Sequence, residues 1–406
     1  MTSRTSGSPP ADESPSAAGS PPAAPVFLEL PDLASRSLSG AVIAANDEFF
    51  AEKENLVLPW PAAAVADFGH KGKVYDGWET RRRREPGHDW ATVRLGVPGR
   101  VHGVVIDTAW FTGNFPPHAS LEATAVEGHP SGADLAAADW FPLLPRVELR
   151  GGSANSFEVD SPIRATHVRL NIFPDGGVAR LRVHGVPIAD PRPLDVGPFD
   201  LAALENGGAI TGCSNEFYGT PHQLIGRGLA LNMGSGWETA RRRDAGNDWV
   251  TVALACPGVV GLAELDTSYF VGNSPGAARL TGCLEGADPT QAGSWTELLP
   301  MTGLQADTPH RFVLTPGGPG VTQVRLDVYP DGGMARLRLW GRPTAEGRKR
   351  LGRRWFDALL PAQAASVLQA AGASADDAGA AVQARPLLGS MAAVPTGAIS
   401  QLLDGP

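Results

Sequence analysis

Between Asp76 and His88 the chain gathers acidic side chains, four consecutive arginines and an imidazole: Asp76, Glu79, Arg81–Arg84 and His88. Carboxylates and imidazoles can hold or deliver a proton near neutral pH once their surroundings tune them. A guanidinium can grip an anionic group through two parallel hydrogen bonds. Together these residue types equip a site for proton transfer on a small anion. The same residues also have a purely architectural reading. If Trp78–Arg83 is extended, Trp78, Thr80 and Arg82 share one face while Glu79, Arg81 and Arg83 share the other, so a Glu–Arg ladder would serve the fold equally well. Upstream, Asn46-Asp47-Glu48-Phe49 follows a run of small apolar residues. There Asp47 and Glu48 either cap a turn or act as a base.

The elements that must position these groups occur twice. Gly77–Trp90 (GWETRRRREPGHDW) returns 159 residues later as Gly236–Trp249 (GWETARRRDAGNDW), with 10 of 14 positions identical. Asp107–Asn114 returns as Asp266–Asn273 at the same shift. His167–Gly185 returns as Gln323–Gly341, with 12 of 19 identical. A period this long is too great for a solenoid and implies two homologous globular repeats, about 26–188 and 194–343, joined by a stiff proline-rich stretch at 189–198. Within each repeat, short period-two apolar runs alternate with Gly, Pro, Asn and Asp. Trp90–Leu95, Val101–Asp107 and Val168–Phe173 read as separate strands of an antiparallel sandwich. Pro-Asp-Gly-Gly at 174–177 and 330–333 reads as the turn between two of them.

Comparing the repeats sorts the candidates. Glu79, Arg82, Asp107 and Asp175 have counterparts in Glu238, Arg241, Asp266 and Asp331, so they suit a role in the fold. Asp76, Arg81, His88 and Thr112 face Ser235, Ala240, Asn247 and Val271, so the fold as such does not need them. The first repeat is therefore the expected seat of chemistry, with a composite site between the repeats as the alternative.

Composition excludes several classes. The 406 residues carry a net charge of −9, which gives no bulk field for nucleic acid or an anionic membrane. Three cysteines without metal-ligand spacing suggest buried thiols in a reducing compartment, and no signal peptide or membrane span is evident, so a cytoplasmic protein is expected. Residues 1–25, rich in Ser, Pro, Ala and Gly, are expected to be disordered. Residues 344–406 are expected to form two or three short helices. No His-x-His or HExxH-like pair points to a metal, although a carboxylate-only divalent site would leave little trace. No cofactor is expected.

The pattern Asp76-Gly77, Thr80, Trp90, Leu95-Gly96 and Leu181–Gly185 resembles the discoidin or galactose-binding jelly roll. More specifically, Asp76–Arg82, Gly87–Trp90, Asp107-Thr108 with Phe111–Pro116, and Phe173–Gly177 with Arg180 resemble the allantoicase family, and so does the corresponding set in the second repeat. That resemblance implies two jelly-roll repeats, all-β, that hydrolyse allantoate to ureidoglycolate and urea in purine breakdown, in a homo-oligomer. The tail resembles the opening helices of the decarboxylase that acts on the 2-oxo-imidazoline intermediate of urate breakdown; the chain stops before that family's catalytic histidine, so no second activity is expected. Allantoate is a carboxylate whose α-carbon bears two ureido groups. Its hydrolysis calls for a cation, an acid and a base, and polar partners for the ureas. Glu79, Asp76, His88, Asp47 and Glu48 are the candidates for proton transfer. Arg81, Arg82, Thr80, Asn114, Asp175 and Arg180 are the candidates for holding substrate. The competing readings are a carbohydrate-binding or discoidin-like module without chemistry, and a nucleic-acid reader, which the acidic total disfavours.

Overall fold

A computed structural model describes residues 25–389 and 397–405. The segment expected to be disordered therefore lies, apart from Pro25, outside the described residues. The first repeat contains β1 (Ala41–Ala45), β2 (Phe68–Gly69), β3 (Gly72–Lys73), β4 (Trp78–Glu79), β5 (Asp89–Asp107), β6 (His118–Thr124), α1 (Gly132–Ala136), β7 (Phe141–Glu148), β8 (Ala154–Glu158), β9 (Arg164–Phe173), β10 (Gly177–Val178) and β11 (Arg180–Pro187). After α2 (Pro191–Leu194) the second repeat runs through β12 (Phe199–Asp200), β13 (Ala209–Cys213), β14 (Trp237–Glu238), β15 (Asp248–Asp266), β16 (Ala277–Leu284), β17 (Trp295–Gly303), β18 (Pro309–Val313), β19 (Val321–Tyr329), β20 (Gly333–Met334) and β21 (Arg336–Pro343).

One long strand organises each sandwich. Trp90–Leu95 and Val101–Asp107, expected as two strands, are halves of the 19-residue β5. Its first half pairs with β1 and with β9, in a ladder that runs from Asp89 to Arg94 and resumes only at Gly99. Its second half pairs with β11 and β8. The strand crosses from one layer to the other where the ladder lapses, and β15 does the same in the second repeat. Alternate residues of β5, including Ala91, Val93, Leu95, Val97 and Val101, are buried. Each such apolar side chain removed from water contributes roughly 1–3 kcal/mol.

A short two-stranded ladder sits at one end of each sandwich and carries the Trp-Glu pair that the two repeats share. β4 pairs with β10, setting Glu79 opposite Gly177 and Trp78 opposite Val178. β14 and β20 set Glu238 opposite Gly333 in the same way. Trp78 is fully buried and its indole N–H donates to the Asp47 carbonyl at 2.8 Å; Trp237 is fully buried and donates to Asn215 identically. Alternation then puts Glu79 on the opposite, open side. The preceding glycine of the turn, Gly176, adopts φ +142°, where an L side chain is strained. Gly177 itself lies under the buried Phe111 ring, and a Cβ there would stand 2.0 Å from Phe111 Cδ1. Gly177→Ala is therefore expected to destabilise the fold by about 1–3 kcal/mol through overpacking, read as a lowered denaturation midpoint. Gly333→Ala, beneath Phe270 in the same geometry, is expected to match it.

The tail forms four helices among the described residues: α3 (Ala345–Asp357), α4 (Pro361–Ala370), α5 (Ala375–Gln383) and α6 (Ala398–Asp404). α3 exceeds the sequence expectation because its charged run is neutralised by tertiary partners, Arg348 by Asp195 and Arg353 by Asp404. Trp355, Phe356, Leu359, Leu368 and Leu403 form a small core of their own. No described helix is long and apolar enough to cross a membrane.

Candidate active site

In the first repeat, Glu79 opens into a cavity of about 450 Å³ lined by Phe50, Lys71, Lys73, Tyr75, Glu79, Thr112, Gly113 and Asn114. Glu79 is fixed twice. Its backbone bridges to Ala51 and pairs with Gly177, and its Oε1 accepts a 2.7 Å hydrogen bond from Asn114 Nδ2. Asn114 is itself held because its carbonyl accepts the Gly177 N–H at 2.8 Å. Burial raises the Glu79 pKa above the ordinary carboxylate value, and the Asn114 hydrogen bond offsets only part of that rise. A carboxyl placed this way can carry a proton where an exposed one would already have lost it.

The cations on the lining are lysines. Lys71 Nζ donates to the Phe49 carbonyl at 2.6 Å and stands 4.8 Å above the Phe49 ring, while Lys73 Nζ stands 5.0 Å from the Tyr75 ring. Neither lysine has a carboxylate within ion-pair distance among the described residues. The chain has four lysines in all, Lys53, Lys71, Lys73 and Lys349, and two of them line this cavity. Sequence reasoning missed both. The hairpin that carries them, β2–β3, belongs to a stretch that separates β1 from β4 and has no counterpart between β13 and β14.

The sequence candidates divide clearly. Glu79, Asn114 and Thr112 meet in the cavity; Arg81 stands near its mouth. The Arg81 guanidinium lies 5.3 Å from the Phe49 ring, and its Nε is bound to Asp47 Oδ2 at 2.6 Å. Asp47 also accepts the Phe49 and Arg81 backbone N–H groups. Burial works to raise its pKa, but these hydrogen bonds and the Arg81 charge outweigh burial and lower it. Asn215 accepts the equivalent N–H groups in the second repeat, so the turn clasp is common and the Arg81 pair is an addition. Glu48 turns outward to Lys53 at 3.0 Å.

Other candidates are engaged in architecture. Arg180 is fully buried and binds both Asp76 oxygens at 2.8 Å, while its Nε donates to the Trp60 carbonyl. Asp76 in turn accepts the Ala63 N–H at 2.8 Å. Asp76 is specific to the first repeat because it fastens the segment specific to that repeat. Its absence from the second repeat leaves Arg336 with carbonyl partners only, and burial lowers that arginine's pKa to about 10. Thr80 Oγ1 accepts the Gly176 N–H at 3.2 Å, and Asp175 accepts the Arg83 N–H at 2.9 Å; both bonds recur in the second repeat. His88 is exposed and packs on Phe173 at 4.8 Å. Arg82 is exposed beyond the two-residue strand β4 and, like His88, is absent from the cavity lining.

The second repeat retains the frame of the site without its charged wall. Asn273 Nδ2 donates to Glu238 Oε1 and lies 3.3 Å from Met233 Sδ. Val271 replaces Thr112, and no lysine occurs in residues 194–343. Among the described residues no three His, Cys, Asp or Glu side chains cluster as metal ligands would.

Fold and geometry thus define a tandem jelly-roll protein whose first repeat carries a half-buried carboxyl and two lysines on one cavity. The allantoicase repeat matches residues 31–188 and 199–344. A probable allantoicase of Nocardia farcinica is 62% identical over 318 residues, covering 78% of this chain and 95% of its own. One from Streptomyces coelicolor is 48% identical over 342 residues, covering 81% and 89%. The crystal structure of allantoicase from Saccharomyces cerevisiae superposes with a TM-score of 0.65 at 31% identity, covering 76% of this chain and 92% of that one. The chain belongs to the allantoicase family.

Proposed function

We propose that the protein hydrolyses allantoate to ureidoglycolate and urea in purine breakdown, with the chemistry in the first repeat. The observation that carries this reading is the half-buried Glu79, fixed by Asn114, in one cavity with two lysines that have no carboxylate partner among the described residues. The two ammonium groups hold the substrate carboxylate. Asn114, Thr112 and Tyr75 offer hydrogen bonds to the ureido groups. Glu79 delivers its proton to the leaving ureido nitrogen as the bond from that nitrogen to the central carbon breaks. The lone pair of the other ureido nitrogen closes a C=N bond, and urea departs. Water then adds to the same carbon and gives its proton to the Glu79 carboxylate, which restores the starting acid. Asp76 and Arg180 act at one remove by holding the segment that leads to the lysines. Asp47 does the same for Arg81.

The route uses protein side chains alone. Purified protein is expected to release one urea per allantoate consumed, and to do so equally after dialysis against EDTA. Binding without turnover would favour the carbohydrate-module reading, and loss of activity restored by a divalent metal would add a metal to the site. Three free thiols, Cys213, Cys256 and Cys283, suit a reducing compartment, and we place the enzyme in the cytoplasm.

A further inference from the structure

The four arginines of α3 divide by partner. Arg348, Arg350 and Arg353 each meet a carboxylate, Asp195, Glu346 and Asp404 respectively. Arg354 meets none among the described residues. Its guanidinium is half-buried and donates to the Pro187 carbonyl at 3.0 Å. It lines a cavity of about 850 Å³ between the first sandwich and the tail, together with Arg100, Arg385, His102 and Asp357. Arg100 and Arg385 also bond only to main-chain carbonyls, Arg100 to Ser161 and Arg385 to Phe356, Leu359 and Val382. Carbonyls satisfy N–H groups but do not cancel charge. Asp357, the one carboxylate on the lining, supports the Arg385 charge while its oxygens accept the Leu387 and Leu388 N–H groups at 2.8 Å. The next residues in sequence, 390–396, contain no acidic side chain.

Three guanidiniums thus share one cleft whose lining holds a single carboxylate, beside Arg385, which leaves Arg354 and Arg100 without an acidic partner among the described residues, in a chain whose net charge is −9. Partly desolvated cations arranged this way are unfavourable unless an anion joins them. Burial and the neighbouring Arg100 charge both lower the Arg354 pKa, which marks the same uncompensated charge. The rest of the wall is aliphatic, including Ile163, Val186 and Leu359, and the volume suits a small organic molecule. A hydrated inorganic ion would leave that wall uncovered. The helices that close the cleft begin at Ala345, beyond the allantoicase-repeat match that ends at 344. The cleft is therefore an addition to the family frame, and the residues proposed for catalysis do not line it.

We propose that this cleft binds an amphiphilic organic anion, a carboxylate carried on an apolar body, with its head on Arg354 and Arg100 and its body against the aliphatic wall.

The test is titration calorimetry of the full chain with sodium octanoate, beside inorganic phosphate as a purely polar anion. Octanoate is expected to bind at one equivalent with a Kd of about 1 mM or tighter. Arg354→Ala and Arg100→Ala, each shown to be folded by circular dichroism, are expected to weaken it by roughly tenfold or more. Arg100 lies on the sandwich and not on the tail, so it keeps the test alive if Arg354→Ala loosens the helices. No binding of octanoate would overturn the proposal, and so would equal affinity in both variants. Phosphate binding with octanoate excluded would also overturn it, by showing a site for inorganic anions.

Discussion

Glu79→Gln is expected to lower kcat for allantoate by roughly 10²-fold or more, the scale of losing a positioned acid or base, with little change in melting temperature. The glutamine keeps the size and the Asn114 contact but cannot carry the proton. Glu238→Gln, at the same place in the other repeat, is expected to leave turnover near wild type, because that repeat has no lysine, and the Asn273 that binds Glu238 lies against Met233. The pH dependence supplies a second reading. The first step uses the acid form, so turnover should fall as pH rises through the Glu79 pKa, which burial holds above the usual carboxylate value. That limb should vanish in Glu79→Gln. Equal losses in both Gln variants, without unfolding, would mean that the repeats share one site. Unchanged turnover in both would remove Glu79 from the chemistry.

Lys71→Ala and Lys73→Ala are each expected to lower kcat/KM by about 10- to 100-fold, the range for a hydrogen bond to a charged group, and the double variant further. If the ammonium groups bind the carboxylate equally in the ground and transition states, the loss appears in KM with kcat nearly intact. Both residues lie on an exposed hairpin, so the melting temperature should hold. Arg81→Ala serves as the comparison. Its guanidinium is tied to Asp47 at the cavity mouth, and a loss there as large as at the lysines would return the carboxylate to arginine.

The sandwich was readable because its signals are local and doubled: period-two runs, turn glycines, and a repeat that matches itself in three blocks. The continuity of β5 was not, since Pro98-Gly99 looks like a break in a one-dimensional string and is a change of layer in three. Glu79 and Asn114 stand out as polar residues inside matched blocks, although only the fold shows that these residues, 35 apart in sequence, meet at 2.7 Å. Asp76 was misleading for a physical reason. A residue peculiar to one repeat looks free of structural duty when the repeats are compared, yet it braces a structure peculiar to that repeat, through Arg180 and Ala63. The lysines escaped because comparison of the repeats weighs aligned positions, and Lys71 and Lys73 sit in the part that aligns with nothing. Their rarity in the chain, and their place in the insertion, were the available signals.

The bracing of that insertion has a consequence for valency. Arg180, Arg182 and the Trp110 indole hold the backbone of Leu58–Ala62 by its carbonyls, and the lysine hairpin follows from this anchored stretch. The second repeat offers the Glu238–Asn273 frame but nothing on which to hang such a wall. On the proposed assignment the duplicated chain is functionally monovalent: a substrate titration ends at one equivalent per chain, not two. Any sigmoidal response to substrate would then have to arise between chains, because the two repeats of one chain have no second occupancy through which to communicate.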